Sequence, residues 1–378
     1  MSMKIGITSE QLNRPLTGRG YYIYHLIKIL SSNTNKNNYD IYLINYKNTQ
    51  MFPNLKHIIL ENPFKRITKS YQLWYLYLPL GLYDISKKVD IVHCINAEPI
   101  YLKPKNIKLI TTIYDIIPYL FPKTYTFSTS FRFRFILPKT LKISNKIITI
   151  SHHTKQDIIK HFKIPEDKIK VIHLAANENY KPLNEKEIEK IREKYNLNYP
   201  FILYVGGLEP KKNISTLLKA LYKLKKQGIK HKLVITGEKR WKYKSIFETI
   251  EKLNLQKDVI FTGYVPDEDL PALYNAADLF VYPSLYEGFG LPPLEAMACG
   301  TPVITSSTSS LPEVVGDAGI MVNPYDVDEL AKAMYEVLTN DGLREELSKK
   351  GLERAKLFSW KKCAEEHLKV YEEVYNMK

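Results

Sequence analysis

Short apolar runs alternate along the chain with longer segments in which apolar residues recur every three or four positions. Such runs are typical of strands in a parallel sheet buried on both faces, and the longer segments are typical of the helices that cover it. In the first half this pattern predicts strands over 4–8, 41–45, 90–94, 109–114 and 146–150, with helices over 21–30 and 154–161. The apolar segment 73–83 contains Pro79 and Gly81 and is too short to span a bilayer, so it predicts a buried helix.

The second half shows the same alternation. It predicts strands over 201–206, 232–236, 259–262, 279–282 and 302–305, with helices over 185–195, 215–227, 243–253, 267–276, 291–298 and 326–338. A final helix over 359–375 would present an apolar face formed by Trp360, Leu368, Val370 and Tyr371. The alternation indicates an α/β fold, and 378 residues suit two domains better than one core. We expect the boundary within 175–200, which gives domains over about 1–180 and 181–358.

Positive charge is concentrated in the first half of the chain. Residues 1–180 carry 26 Lys and Arg against 11 Asp and Glu, whereas residues 181–378 carry 29 of each class. A basic surface of this kind attracts polyanions, such as nucleic acid or an anionic membrane. The sequence lacks a zinc finger, an RNA-binding motif and a basic helix with interleaved aromatics, so it favours a membrane over nucleic acid. A lysine-rich surface without a partner is the alternative.

Cysteine usage and the start of the chain bear on the compartment. Cys94, Cys299 and Cys363 lie far apart and show no metal-ligand spacing, which suits a reducing compartment. The first residues lead directly into a predicted strand, without the basic and apolar segments of an export signal. We therefore expect a cytoplasmic protein.

Two carboxylates flank a glycine-bearing turn in the second half. Glu287 lies before the turn, and Glu295 lies one helical turn into the helix predicted over 291–298. Gly288 and Gly290 remove side-chain bulk where the backbone turns, so free amides and the positive end of a helix face one spot. This arrangement predicts a phosphate-binding turn, and a carboxylate beside it must bind something neutral, such as sugar hydroxyls. The spacing therefore indicates a nucleotide-sugar, with a surface loop and a helix-capping glutamate as the alternative.

At these residues the sequence resembles the retaining GT-B glycosyltransferases that share an E-x7-E motif, family four or glycosyl transferases group one. Seven residues separate Glu287 from Glu295, and the run EGFGLPPLEAMACGTPVI follows the family pattern. The wider match looks most like the mannosyltransferases that build surface polysaccharide on lipid carriers. The resemblance implies two Rossmann-like domains facing a cleft, with the helix 359–378 crossing back to the first domain. It also implies an acceptor-binding first domain and a nucleotide-sugar-binding second domain.

The resemblance also assigns roles to residues of the second half. Glu287 and Lys212 are implied to be catalytic, because they would bind the transferred sugar and the diphosphate, and Glu295 is implied to bind the ribose. Further donor contacts are implied for Gly207, Val265, Gly288, Phe289, Gly290 and Leu291. Gly207 stands where the family has an arginine, so one cationic contact is missing or supplied elsewhere, for example by Lys211. A solvated lysine pair at a helix start is the alternative for Lys211 and Lys212.

Parts of the first half resemble the family as well. Gly18 lies in a loop before a helix and is implied to approach the donor phosphates or the acceptor, with Arg14 and Arg19 beside it. Asp115 follows Tyr114, which replaces a histidine of the family. Asp115 is either a catalytic group or a cap of the following turn. His93 ends a predicted strand and is expected to be structural.

We expect no metal site. Asp267 and Asp269 precede one predicted helix, and Asp326 and Asp328 precede another, positions where acidic side chains are typical caps. The resemblance implies that the diphosphate is bound without a divalent ion. It further implies a retaining hexosyltransferase with a saccharide or lipid-linked acceptor, GDP-mannose as the first expected donor and a UDP-sugar as the second. Two other classes stay open, a sugar-nucleotide epimerase and a non-catalytic protein that binds nucleotide-sugars.

An aromatic segment offers a place for the expected membrane contact. It consists of Phe127, Phe131, Phe133 and Phe135, with Arg132 and Arg134 between them. These residues predict either a peripheral surface on the inner face of the cell membrane or an ordinary core helix.

Overall fold

The computed structural model describes residues 2–377 apart from 14, 15, 17, 33–37, 47, 48, 50, 61–71 and 241, with backbone only at 72–77 and 124. The chain divides into two compact units. Unit 1 consists of Met1–Leu174 together with Trp360–Lys378, and unit 2 consists of Ala175–Ser359. Of the helices in the described part, none is both long and apolar enough to cross a bilayer.

Unit 1 is built on a parallel sheet. Its described strands are β1 (Met3–Thr8), β2 (Tyr39–Asn45), β3 (Lys56–Ile59), β4 (Ile91–Cys94), β5 (Lys108–Ile113), β6 (Lys146–Thr149) and β7 (Ile169–Val171). They lie in the order β3-β2-β1-β4-β5-β6-β7. The order reverses direction at β1, so β1 and β4 mark the point of the sheet where ligands usually bind in this class of fold.

The helices of this part of unit 1 follow the strands that they cover. They are α1 (Gly18–Ser32), α2 (Gln72–Ile85), α3 (Ile117–Leu120), α4 (Phe127–Phe131), α5 (Leu137–Ile143) and α6 (His152–Phe162). A π-helical turn, Arg132–Ile136, joins α4 to α5. The Oγ of Ser151 caps α6 by accepting the amide of Thr154 at 3.1 Å, as such a residue before a helix commonly does.

Unit 2 contains a second parallel sheet. Its described strands are β8 (Phe201–Val205), β9 (Lys232–Thr236), β10 (Val259–Gly263), β11 (Leu279–Tyr282), β12 (Val303–Ser306) and β13 (Ile320–Val322), in the order β10-β9-β8-β11-β12-β13. Its helices are α7 (Glu185–Lys194), α8 (Ile214–Lys226), α9 (Lys244–Lys252), α10 (Leu270–Asn275), α11 (Leu291–Ala298), α12 (Leu311–Val315), α13 (Val327–Thr339) and α14 (Asp341–Ala355). The direction of the sheet reverses at β8 and β11, which are neighbours.

The final helix, α15 (Trp360–Asn376), belongs to unit 1. Its buried face carries polar groups that bond to the unit 1 core: the hydroxyl of Tyr22 lies 2.6 Å from Nε2 of His367, and that of Tyr371 lies 2.8 Å from Nδ1 of His93. Trp360 stacks on His25 with ring centroids 4.8 Å apart. This helix therefore completes the core of unit 1, as the resemblance implies.

The α/β fold with two parallel sheets is confirmed, and the differences lie in short elements and in the long helix α14, which was not predicted because it buries only Leu347 and Gly351 and so shows no apolar period. The strands β3, β7 and β13 have only three or four residues, too few for a period to stand out in the sequence. Leu368, expected on the apolar face of α15, is only partly buried, whereas Cys363 and Val374 are buried there.

Of the expected caps, Asp326 is confirmed and Asp269 is wrong. Oδ1 of Asp326 accepts the amides of Asp328 and Glu329, both at 2.9 Å, and so caps α13. Asp269 precedes α10 without capping it. Its carboxylate accepts Nζ of Lys194 and the hydroxyl of Tyr195, both at 2.6 Å, because these stronger donors compete for it.

Candidate active site

The strongest candidate site lies at the carboxyl ends of β8 and β11, where unit 2's sheet reverses direction. Lys212 closes a 3-10 turn, Pro210–Lys212, after β8, and Glu287 lies in the loop after β11. Nζ of Lys212 donates to Oε1 of Glu287 at 2.6 Å. The two side chains are only 11% and 12% exposed, so this ion pair is shielded from water on most sides.

Neutral hydroxyls complete the surroundings of Glu287. Oε1 also accepts the hydroxyl of Tyr282 at 3.1 Å and Oγ of Ser284 at 2.5 Å. Lys212 in turn donates to the oxygen of Tyr282. Among the described residues no donor reaches Oε2 of Glu287, so this oxygen can accept a hydrogen bond from a ligand.

The ion pair controls the charges of both partners. Burial alone raises the pKa of Glu287, but the charges of Lys212 and Lys211, with the hydrogen bonds from Lys212 and Ser284, together outweigh it and hold that pKa below its ordinary value. Burial likewise lowers the pKa of Lys212, and the carboxylate of Glu287, with smaller contributions from Tyr204 and Glu209, reverses this, so the lysine pKa is raised. At neutral pH the site therefore holds a carboxylate and an ammonium, both charged.

Hydrogen bonds hold the loops of the site together. The carbonyl oxygen of Lys211 accepts the amide of Leu285 at 2.8 Å and Oγ of Ser284 at 3.1 Å, which fixes the loop after β8 to the loop after β11. The amide of Glu287 donates to Oγ of Ser309 at 3.0 Å, and Oγ of Ser310 donates to the carbonyl oxygens of Glu287 and Phe289 at 2.9 and 2.6 Å. The backbone around Glu287 is thus fixed by hydrogen bonds within the protein.

The turn before α11 presents free amides beside this pair. Gly290 has a φ of +125°, and a Cβ there would lie 2.9 Å from a methyl group of Leu311, so a side chain would be strained and crowded. In the described part of the chain, the amides of Gly290 and Leu291 reach no protein acceptor. Proline occupies the next positions of the helix, so these amides are the donors of its first turn.

Glu295 lies on α11 and differs from Glu287. Its Oε2 accepts the hydroxyl of buried Tyr274 at 2.9 Å, and in the part of the chain that the structure describes no ammonium offsets its burial. Burial therefore raises the pKa of Glu295 to about 7, with a smaller contribution from the charge of Asp267. This carboxyl group changes charge in the physiological range.

The other expected donor contacts of unit 2 surround the same end of the sheet. Gly207 follows β8, and Val265 follows β10 and is buried. Gly288 and Phe289 are buried within the loop after β11. Lys211, which we considered as a substitute for the missing arginine, pairs with Glu209 at 3.6 Å.

The candidate residues of unit 1 form a separate group. Gly18 is the first residue of α1, and Arg14 lies outside the described residues. Oδ1 of Asp115 accepts the amide of Ile117 at 2.9 Å, which is the capping contact that we weighed against a catalytic role. His93 is fully buried between Tyr371 and Thr112, and burial lowers its pKa, as fits a structural residue.

Sequence reasoning missed a pair of buried carboxyl groups in unit 1. Glu98 follows β4 and accepts the hydroxyl of Thr8 and the amide of Asn96, the latter at 2.8 Å. Burial, reinforced by repulsion from Glu10, raises the pKa of Glu98 to about 8. Glu10 and Glu98 both follow strands, and in the sequence they look like ordinary solvated loop residues. The sequence therefore carried no signal that they are buried.

It also missed Tyr282, Ser284 and Tyr274 of unit 2, whose hydroxyls orient the two motif glutamates. Tyr282 and Ser284 lie within five residues of Glu287, and that proximity was the available signal.

Comparison with known proteins shows the family of the chain. The profile of a family described as Glycosyl transferases group 1 matches residues 185–354, and that of Glycosyltransferase Family 4 matches residues 18–179. O-antigen chain mannosyltransferase B of Escherichia coli is 33% identical over 98% of this chain and 99% of its own length. The serotype-specific mannosyltransferase WbdA of E. coli is 35% identical over 68% of this chain and 32% of its own length.

Solved structures agree on the fold. Anabaena HepE in complex with UDP-glucose superposes with a TM-score of 0.76 at 17% identity, covering 98% of this chain and 100% of that one. The resemblance drawn from the motif is thereby confirmed over both halves of the sequence. The chain belongs to the glycosyl transferases of group 1 and is a glycosyltransferase with the GT-B fold.

Proposed function

We propose that this protein is a retaining, metal-independent mannosyltransferase that transfers mannose from GDP-mannose to a saccharide or lipid-linked acceptor during surface polysaccharide synthesis. A UDP-sugar is the second candidate donor. Similarity to O-antigen chain mannosyltransferase B of E. coli over nearly the whole chain supports the sugar. The observation that carries the proposal is the buried Glu287–Lys212 pair, because one oxygen of its carboxylate is left open beside the amides of Gly290 and Leu291.

Each group of the site has a role in this proposal. Oε2 of Glu287 accepts hydroxyls of the transferred sugar, and the open amides with Lys212 bind the diphosphate. Negative charge grows on the diphosphate as the glycosidic bond breaks, so preorganised donors at this point lower the barrier. Glu295 accepts the ribose hydroxyls. The departing phosphate takes the proton of the acceptor hydroxyl, a step that comes from the family resemblance.

The donor is tested by thermal shift with GDP-mannose, UDP-glucose and UDP-galactose. Selective stabilisation by GDP-mannose is expected, because a ligand that binds only the folded state raises the melting temperature. Proton NMR of the product then reports the anomeric configuration, and added EDTA should leave the rate unchanged.

Three results would contradict the proposal. An inverted product would exclude retention, and a rate that EDTA abolishes would exclude metal independence. Conversion of the donor sugar without an acceptor would indicate an epimerase, whereas binding with neither transfer nor hydrolysis would indicate a nucleotide-sugar sensor.

We further propose that unit 1 meets an anionic lipid surface at the inner face of the cell membrane through an aromatic ridge, Phe127, Phe131 and Phe135. Their side chains are 85%, 46% and 54% exposed, and consecutive ring centroids lie 6.2 and 4.9 Å apart. Phe133, which we had grouped with them, is buried at 5% exposure and belongs to the core. Arg134 is exposed beside the ridge and offers positive charge to lipid phosphates.

Sedimentation with vesicles of phosphatidylglycerol and phosphatidylethanolamine tests the ridge. The triple variant Phe127→Ser, Phe131→Ser, Phe135→Ser should lose most vesicle binding, since it removes the exposed apolar area. Phe121→Ser, at 48% exposure outside the ridge, is the matched control. Equal binding of the triple variant and the wild-type protein would exclude this surface.

A further inference from the structure

The unit 2 site has a deficit of positive charge for the ligand proposed above. Lys212 is already neutralised by Glu287 at 2.6 Å, and Lys211 is paired with Glu209 at 3.6 Å. A nucleoside diphosphate brings at least two negative charges to this edge of the sheet. The amides of Gly290 and Leu291 offer only partial charges, so a cation without an acidic partner is needed.

Arg240 is such a cation. It follows β9, whose neighbour in the sheet is β8, so its loop lies next to the loop that begins at Gly206. Its amide donates to the carbonyl oxygen of Leu208 at 3.2 Å, which joins the two loops. The side chain is exposed, and among the described residues it has no ion pair with a carboxylate.

The side chain of Arg240 takes the space that Gly207 leaves empty. A Cβ on Gly207 would lie 2.7 Å from Cδ and 2.9 Å from Nε of Arg240, so the stem of the arginine passes directly over the glycine. Cδ and Nε of Arg240 therefore occupy the space that the first side-chain atoms of a larger residue at position 207 would take. The absence of a side chain at 207 and the presence of an arginine at 240 are thus linked by packing.

This position is connected to the ion pair. The hydroxyl of Tyr204 lies 3.4 Å from the carbonyl oxygen of Gly207, and its ring stacks on that of Tyr282 with centroids 5.8 Å apart. Tyr282 contacts both Lys212 and Glu287. Adjacent strands β9, β8 and β11 therefore bring Arg240, Lys212 and Glu287 to one edge of the sheet.

We propose that Arg240 binds the diphosphate of the donor and replaces, from the neighbouring strand, the cation that Gly207 cannot supply. The inference rests on the proposed function, because it needs a nucleoside diphosphate in this site. A guanidinium suits the task, since it is always charged and can donate two parallel hydrogen bonds to phosphate oxygens. The contribution of Arg240 to affinity should be the same for GDP and UDP, because both nucleotides carry the diphosphate.

Isothermal titration calorimetry with GDP and with UDP tests the assignment. Arg240→Ala should weaken both nucleotides by about tenfold and by the same factor, as expected for the loss of one charge-assisted contact. Lys239→Ala is the matched control, because that lysine is adjacent and exposed but lies over the rings of Tyr243 and Phe247. This control should bind as the wild-type protein does.

Moving the arginine from position 240 to position 207 is a second test. Arg240→Ala frees the space over Gly207, so Gly207→Arg in that background should restore affinity for both nucleotides. If Arg240→Ala fails to fold, Arg240→Gln keeps the aliphatic stem and takes its place.

Unchanged affinity in the arginine variants would overturn the inference, and so would a loss confined to one nucleotide, which indicates a contact with the base. If the wild-type protein binds neither GDP nor UDP, the proposed function itself fails. The two failures are distinguishable, because failure of the Arg240 inference alone would leave nucleotide binding intact in both the wild-type protein and the Arg240 variants.

Discussion

Both units place buried glutamates at the carboxyl ends of their strands, and the two regions differ in the positive charge available there. Glu287 of unit 2 meets an ammonium at 2.6 Å, and its pKa lies below the ordinary value although burial raises it. Glu98 of unit 1 accepts the neutral hydroxyl of Thr8 and the amide of Asn96, and burial, reinforced by repulsion from Glu10, raises its pKa to about 8. The positive charge nearby thus decides whether a buried carboxyl group is an anion that can bind a sugar or a neutral part of the core.

The largest effect is expected when the Lys212–Glu287 ion pair is disrupted. Lys212→Ala should lower turnover by more than about a hundredfold, because the departing diphosphate loses a positive partner and Glu287 loses its counter-ion. Glu287→Gln should have a comparable effect while leaving Lys212 in place. Transfer assays at saturating donor measure both.

Lys219→Ala, at an exposed position of α8, is the control for these variants and should keep wild-type turnover. Wild-type turnover and donor affinity in both Lys212→Ala and Glu287→Gln would refute the role of the pair.

The neutral glutamate of unit 1 predicts a pH effect on stability. Glu98 holds its proton up to a pKa of about 8 in the folded protein, whereas the unfolded chain releases it near 4.5. Its stabilising contribution is therefore complete below about pH 4.5 and is lost as the pH rises towards 8. Glu98→Gln should remove this dependence and raise the melting temperature at pH 8.5 by a few degrees relative to the wild-type protein.

Calorimetry between pH 5 and pH 8.5 measures the slope of melting temperature against pH. Glu372→Gln, on the exposed side of α15, should keep the wild-type slope. Parallel slopes for wild-type protein and Glu98→Gln would show that Glu98 is ionised in the fold.

Glu295 lies between these extremes and predicts the smallest effect. With a pKa of about 7, it becomes an anion, and so a better acceptor of ribose hydroxyls, as the pH rises from 6 to 8. The affinity for GDP should therefore increase severalfold over this range in the wild-type protein. In Glu295→Gln the dependence should disappear, and a slope that persists in this variant would assign the titration to another group.

The sequence sufficed for most of the long elements and for the motif, because both depend on local patterns. The exception is α14, which was missed because it buries only Leu347 and Gly351. The helix over 291–298 and the strand over 279–282 are found where they were expected, and the glycine and glutamate spacing located the turn at Gly290. Contacts between distant segments could not be derived. Asp269 follows a capping pattern but is drawn away by Lys194, which lies 75 positions earlier.

Arg240 is a second contact between distant segments that the sequence did not reveal. The missing arginine at position 207 was visible in the sequence, and the adjacent Lys211 was the nearest substitute along the chain. The parallel pairing of β8 with β9 brings a residue 33 positions later over Gly207, and only the sheet order reveals it. A gap in a local motif can therefore be filled from the next strand.

The placement of α15 has a consequence for how the protein is made. The ribosome completes unit 2 before the residues that close the core of unit 1 emerge, since Trp360, His367 and Tyr371 come after Ser359. Until then the partners of these side chains, His25, Tyr22 and His93, lack their cover. Unit 1 therefore cannot complete its core until α15 has been synthesised. Nascent chains arrested before α15 should bind chaperones more strongly than the full-length chain does.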